Sequence, residues 1–295
     1  MSGCFRIAAP AKLNLGLEIV GKRADGYHDL VTILQTIAPP DDDLELAAAT
    51  YVRLRIDDPE LGGPDNLALQ ALHRLRTDAR ITTGAALRLT KRIPIAAGLG
   101  GASSDAASAL LAARALWNLD TPDARLAAIA GRLGSDVPFF LIGGAALAEG
   151  RGTELTRLPS PPVVFVVVAP HATILRKTPT LYAALDSADY SSGAAVREQA
   201  ARLCAGNSLD PTLLVNAFAR PLYALRPDLA EIPAIMRRAG AMHPAISGAG
   251  PAHVAPFIDP ERAKWVATTL RAAVGHVARI FVAHPAPRAQ PRRIR

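Results

Sequence analysis

The sequence predicts an α+β protein of two domains, and three observations carry that expectation. Apolar residues alternate at period two in several early segments, a helical spacing follows them, and the second half mixes short strands with helices without a regular βαβ rhythm. Leu13, Leu15, Leu17 and Ile19 alternate with Asn14, Gly16 and Glu18, the pattern of a strand with one buried face. Val52, Leu54 and Ile56 repeat it around Arg53 and Arg55, and Leu87 and Leu89 do so around Arg88. From Ser103 to Trp117 the residues Ala106, Leu110, Ala113 and Trp117 fall at spacings of four, three and four, which predicts a helix. A second helix is expected from Thr121, an N-cap followed by Pro122, to Gly131 or Gly134. Val137 to Ala148 is an apolar run broken at Gly143 and Gly144, and it reads as strand.

The composition shift at Leu158 to Pro162 reads as a linker and sets the domains at 1–157 and 158–284. The Val163 to Val168 run after it reads as a fully buried strand. Helices are then expected over Pro211 to Leu225 and Asp228 to Ala239, and strands near Val254 to Phe257 and His276 to Phe281.

Half of the 295 residues are apolar and a fifth are charged, so the chain can bury a core and wholesale disorder is excluded. Lys plus Arg exceed Asp plus Glu by 33 to 26, a formal charge of +7 that invites a nucleic-acid reading. Four of those charges, Arg288, Arg292, Arg293 and Arg295, lie beside Pro285, Pro287 and Pro291. Residues 285–295 are therefore expected to be a disordered, solvated tail rather than a nucleic-acid contact. Cys4 and Cys204 can build neither a disulfide framework nor a cysteine zinc site, which fits a reducing cytosol. The longest uncharged stretch, Leu158 to Leu175, holds four prolines and predicts no membrane helix, and no secretion signal is read at the N-terminus. A cytoplasmic location follows, with no metal site assigned to the histidines.

The strongest local signal is Pro94 to Ala106, which reads Pro-Ile-Ala-Ala-Gly-Leu-Gly-Gly-Ala-Ser-Ser-Asp-Ala between a strand pattern and a helix. Gly98, Gly100 and Gly101 let backbone approach a ligand, the N–H groups that open a helix attract phosphate, and Ser103 and Ser104 add hydroxyls. A Walker loop would need a Lys after its last Gly, and a dinucleotide fingerprint a Gly where Ser103 stands. A tight turn with a capping serine is the plainer alternative for the loop alone.

A second signal lies at Pro10 to Leu17. Only five of the 33 cationic residues are lysine, and Lys12 shares one strand face with Asn14. A solvated charge is the plainer reading of a single lysine. Asp25-Gly26 is a turn dipeptide that places Tyr27 and His28 at a rim, where they could clamp a planar ring or cap a core. Asp136, in Gly134-Ser135-Asp136-Val137-Pro138, is the only carboxylate between Asp123 and Glu149, and is either a turn residue or a group held for chemistry.

Together these segments resemble the GHMP kinases, and the pairing of Pro-Ala-Lys-Leu-Asn-Leu with Arg-Ala-Asp-Gly-Tyr-His resembles that superfamily's 4-diphosphocytidyl-2-C-methyl-D-erythritol kinases. Ala148-Glu149-Gly150 and Ser247-Gly248-Ala249-Gly250-Pro251 agree, so the resemblance spans about residues 6–283. It implies a ribosomal-protein-S5-like N-terminal domain and a ferredoxin-like α/β sandwich after it. It implies transfer of the γ-phosphoryl group of ATP to a tertiary hydroxyl of a cytidine-diphosphate substrate in isoprenoid precursor synthesis. By motif, Asp136 is the general base and Lys12 offsets charge beside the hydroxyl. Gly98, Gly100, Gly101, Ser103 and Ser104 cradle the phosphates, with Pro94, Ala96, Leu99 and Asn66 around the nucleotide. Asn14, Tyr27, His28, Thr178 and Tyr182 bind the acceptor, Tyr182 against cytosine. Magnesium is implied by the ATP chemistry, with Ser103 or Ser104 as a water-mediated contact. Ala102, Ala249 and Pro251 depart from the family's usual Gly, Ser or Thr. A homoserine- or mevalonate-type GHMP kinase, or a catalytically silent sensor, are the alternatives; retention of Lys12 and Asp136 speaks against the sensor.

Overall fold

The structure is a computed structural model that describes residues 3–172, 174 and 176–294; Arg295 of the expected tail lies outside them. The first part holds β1 (Cys4–Lys22), β2 (His28–Ala49), β3 (Arg53–Ile56), α1 (Leu67–Asp78), β4 (Gly84–Thr90), α2 (Gly101–Leu116), α3 (Asp123–Gly131), α4 (Val137–Ile142), β5 (Ala145–Glu149) and β6 (Glu154–Leu158). The second holds β7 (Val164–Pro170), α5 (Lys177–Ala183), α6 (Ala194–Cys204), α7 (Ala219–Leu225), α8 (Ile232–Arg238), β8 (Ala245–Ile246), β9 (His253–Phe257), α9 (Pro260–Val274), β10 (Ala278–Pro285) and β11 (Arg292–Ile294).

The organising element is β2. It runs antiparallel to β1 along its length, and its other edge is shared in sequence by β5 at Thr32 to Gln35, β10 at Ile37 and Ala38, and β4 at Asp43 to Ala49. One strand path, β11-β1-β2-β10-β7-β9-β8, thereby joins the two halves. Leu44, Leu46, Leu87 and Leu89 pack under α1 and α2 through Leu72, Leu75, Leu110 and Ala113, the apolar positions of those helices. Val164, Val166 and Val168 face α8 and α9, while Phe165 and Val167 face Leu13, Leu15 and α6, so β7 is buried on both sides as its unbroken apolar run predicts.

Four expectations are corrected. The strand expected at Val137 is a helix as far as Ile142, because a short apolar run buried on all sides carries no period that tells helix from strand; β5 begins only at Ala145. The polar face of β1 is buried as well as its leucine face: Lys12 and Asn14 are each 4 % exposed. The helices expected over 211–225 and 228–239 begin as 3₁₀ turns at Pro211 and Pro227, and the α-helical parts are only α7 and α8. Finally, the tail expected to be disordered is ordered through Ile294. Ala286 N–H donates to Thr36 O at 2.8 Å, Arg288 pairs with Asp123 at 3.4 Å, and β11 extends the sheet against Cys4 to Arg6. Proline-rich backbone is extended by construction, which suits an edge strand as well as it suits a solvated tail.

Candidate active site

Between Lys12 and Leu17, β1 pairs with β2 on one edge, and loops close the other. Lys12 N–H donates to Leu99 O at 2.9 Å, Asn14 N–H to Ser247 Oγ at 3.3 Å, and Leu17 N–H to Val215 O at 2.8 Å. The glycine loop after β4 and the turn after β8 are thus docked on the two polar residues of β1. They are also docked on each other: Ser247 Oγ donates to Gly98 O at 3.1 Å and Ala252 N–H to Ala97 O at 2.9 Å. Gly98 has φ +87°, and a Cβ there would lie 2.4 Å from Ser247 O, so no other residue fits the crossing.

Lys12 Nζ donates to Asn14 Oδ1 at 2.6 Å, and the Asn14 amide donates to Thr32 Oγ1 at 2.8 Å, which fixes the orientation of both. Asp136 Oδ2 lies 4.0 Å from the same ammonium. Burial holds the Lys12 pKa below its ordinary value, and the Asp136 carboxylate acts in the opposite direction. Asp136 immediately precedes α4, yet its side chain makes no capping bond and is 41 % exposed to the cavity.

That cavity, about 750 Å³, is lined by Lys12, Asn14, Tyr27, His28, Asp136, Thr178 and Tyr182, so every acceptor-side residue expected from sequence meets in one place. His28 and Tyr182 stack at 5.0 Å, with Tyr190 edge-on to His28 and Phe218 edge-on to Tyr182. A base inserted between parallel rings needs about 7 Å, twice a carbon contact distance, so the pair forms one wall of the cavity rather than two jaws. Tyr27 stands at the rim, 53 % exposed, under the Arg151 guanidinium at 3.5 Å. Burial, with Lys22 nearby, lowers the His28 pKa and favours the neutral imidazole.

A second cavity of about 450 Å³ is lined by Asn66, Pro94, Ala96, Gly98, Leu99, Gly100, Gly101 and Ser103. The Asn66 side chain is spent as the cap of α1, accepting from Ala68 N–H and Leu69 N–H, so it shapes this cavity rather than offering free polar atoms. Ser104 departs from expectation: it is fully buried, lines neither cavity, and its Oγ has no hydrogen-bond partner among the described residues. On a helix the serine after Ser103 points elsewhere, and here that is inward.

Sequence reading missed Lys91, on the floor of the second cavity. Its ammonium is held by Asp42 and by Asp105 Oδ2 at 2.5 Å, and Asp42 Oδ1 also accepts from Ile93 N–H at 2.8 Å. Burial pushes the Asp105 carboxyl up to about 8, with Lys91 opposing and Asp42 reinforcing. The native state therefore keeps a proton that the unfolded chain releases near 3.8, and stability contributed by that proton is lost as pH rises through about 8. Asp105→Asn removes this loss: between about pH 6 and pH 9 the wild-type Tm is expected to fall more than that of the variant, read by calorimetry. An equal fall in both would contradict the assignment.

The family model described as GHMP kinases N terminal domain matches residues 66–144, from the cap of α1 through the glycine loop to Asp136 and α4. A 4-diphosphocytidyl-2-C-methyl-D-erythritol kinase of Pelotomaculum thermopropionicum is 38 % identical over 267 residues, 89 % of this chain and 92 % of the relative. The chain belongs to the 4-diphosphocytidyl-2-C-methyl-D-erythritol kinases of the GHMP superfamily. A crystal structure titled 4-(cytidine 5'-diphospho)-2C-methyl-D-erythritol kinase superposes with a TM-score of 0.81 at 35 % identity, covering 94 % of this chain and 98 % of that one. A homoserine kinase from Cytophaga hutchinsonii reaches 0.78 at 18 % identity over 99 % and 97 %, a likeness of fold alone. The α+β GHMP kinase fold expected from sequence is the one observed. Lys177 and Lys22 also line the larger cavity. Neither was singled out from sequence, although the rarity of lysine marks both.

Proposed function

We propose that this chain transfers the γ-phosphoryl group of ATP to the 2-hydroxyl of 4-diphosphocytidyl-2-C-methyl-D-erythritol, giving the 2-phosphate and ADP in isoprenoid precursor synthesis. One observation carries the reading: Gly98, Gly100 and Ser103 line both cavities, so the mouth of α2 is where a phosphoryl group can pass from a nucleotide to an acceptor. The Gly98 to Gly101 backbone and the Ser103 hydroxyl support phosphate binding there.

Asp136 takes the proton of the acceptor hydroxyl, whose oxygen forms the new bond to phosphorus as the bridging bond to ADP breaks. The Lys12 ammonium, fixed by Asn14, offsets negative charge as it spreads over the transferred oxygens. The His28 and Tyr182 wall, with Tyr27 at the rim, supports a cytosine site, and Asn14 and Thr178 face the polar remainder. Magnesium fits the donor set. Among the described residues no group of three or more His, Cys, Asp or Glu could hold an ion, and magnesium in nucleotide sites takes one or two protein oxygens with phosphates and water. The Ser103 hydroxyl would contact it through water, and when bound it neutralises phosphate charge. The unpaired Cys4 and Cys204 support a cytoplasmic setting. No helix among the described residues is long and apolar enough to cross a membrane.

ADP release measured with three acceptors tests the reading. Turnover is expected with the cytidylylated alcohol and not with homoserine or mevalonate; the opposite order would sink it. Tyr182→Ala is expected to raise the KM for the cytidylylated acceptor about tenfold while leaving that for ATP in place, the scale of one base–aromatic contact.

A further inference from the structure

We propose that Lys177 is a second phosphate ligand of this site, one that meets the γ-phosphoryl group of ATP opposite Lys12. The inference rests on the ATP-dependent reading above. Lys177 opens α5 and reaches across to the glycine loops, where its ammonium donates to Ala96 O at 2.6 Å and to Gly250 O. These carbonyls flank Gly98, the crossing point of the two loops. Both partners are neutral, and among the described residues no carboxylate pairs with Lys177, whereas the two lysines that flank the glycine loop do have one: Lys12 has Asp136, and Lys91 has Asp42.

The charged neighbours make the arrangement unusual for a surface cation. Lys12 on β1 lines the same cavity and repels it, and Asp136, ahead of α4, lies 4.0 Å from the Lys12 ammonium. Burial, followed by Lys12, lowers the Lys177 pKa to about 8. Two ammonium groups that line one cavity with a single carboxylate, Asp136, beside Lys12 leave an uncompensated positive charge at the mouth of α2. A folded protein holds such a charge at a cost, which an arriving polyanion removes. Ala96 O and Gly250 O hold the ammonium in waiting, and a terminal phosphate oxygen is a stronger, charge-assisted acceptor than either.

The rival role is a staple that only ties α5 to the loops. Full-length wild type and Lys177→Gln are titrated with ADP and with β,γ-imido ATP, each with magnesium. The expected result is a loss of about tenfold or more for the ATP analogue and less than about twofold for ADP, because only the analogue carries a γ-phosphoryl group. An equal loss for both, as a staple would give, or no loss for either, overturns the proposal. The pH profile gives a readout that does not depend on the glutamine variant folding. Wild-type kcat/KM for ATP is expected to fall as pH rises through about 8, and Lys177→Arg, which keeps its charge, is expected to move that fall to higher pH. An unmoved profile counts against it. Neither nucleotide titration needs an acceptor, so wild type that fails on the cytidylylated alcohol would overturn the acceptor reading and leave the binding result standing.

Discussion

Asp136→Ala is expected to lower kcat by about 10³-fold while ATP affinity stays within about twofold, the pattern of a lost general base. The geometry makes the separation clean. Asp136 sits where a helix cap would, and a capping aspartate would cost about 1 kcal/mol of stability on truncation. Its side chain makes no capping bond, so the variant should unfold at nearly the wild-type temperature. The carboxylate instead faces the larger cavity, 4.0 Å from Lys12 Nζ, and does not line the second one. Calorimetry, nucleotide titration and steady-state rates on one preparation would read all three expectations. A wild-type rate would remove Asp136 from the mechanism.

Lys12→Met is the second large effect, with an expected loss of about 10² to 10³-fold in kcat, the scale of removing one preorganised donor from a charge-developing centre. Methionine keeps an unbranched apolar stem in the tight space beside Gly100, where a Cβ on that glycine would come within 2.9 Å of the Lys12 Cγ. What is lost is the ammonium. Asn14 Oδ1 then has no donor, which is expected to cost about 1–3 kcal/mol of stability as well, so this variant, unlike Asp136→Ala, should also melt earlier. Asn14 has its amide committed to Thr32 and cannot turn to replace the missing charge. A variant that melts earlier but turns over normally would assign Lys12 a structural role only.

Much of this site is legible in the sequence because it is built from local patterns. The period-two alternation of β1 puts Lys12 and Asn14 on one face, and the glycine loop announces itself by its three glycines between a strand and a helix. The meeting of Lys12 with Asp136 is not legible, because it depends on how β1, the glycine loop and α4 pack, and no periodicity carries that. Even the conformation around Asp136 misleads, since Val137 to Leu141 is buried on every side and fits either secondary structure.

Lys91 and Lys177 could have been found. The chain uses arginine for 28 of its 33 cations, and of the five lysines only Lys264, paired with Glu261 on the surface of α9, stands apart from the two cavities. A compact, titratable ammonium suits the phosphate role proposed above, and in a chain that otherwise uses arginine each lysine stands out. The Pro- and Arg-rich tail shows the reverse. Its composition reads as disorder, but its order comes from pairing with β1 and from Asp123, partners far away in sequence.

The proposed reaction carries the phosphoryl group across Gly98, Gly100 and Ser103 onto the tertiary 2-hydroxyl of a cytidylylated alcohol. Phosphorus NMR of the product made by the full-length chain from ATP and that alcohol tests it most directly. The carbon bearing a tertiary hydroxyl has no hydrogen, so a new phosphomonoester signal without three-bond coupling to a carbinol proton is expected. A new signal split by such a proton, as a primary or secondary hydroxyl would give, or no new monoester at all, would contradict it.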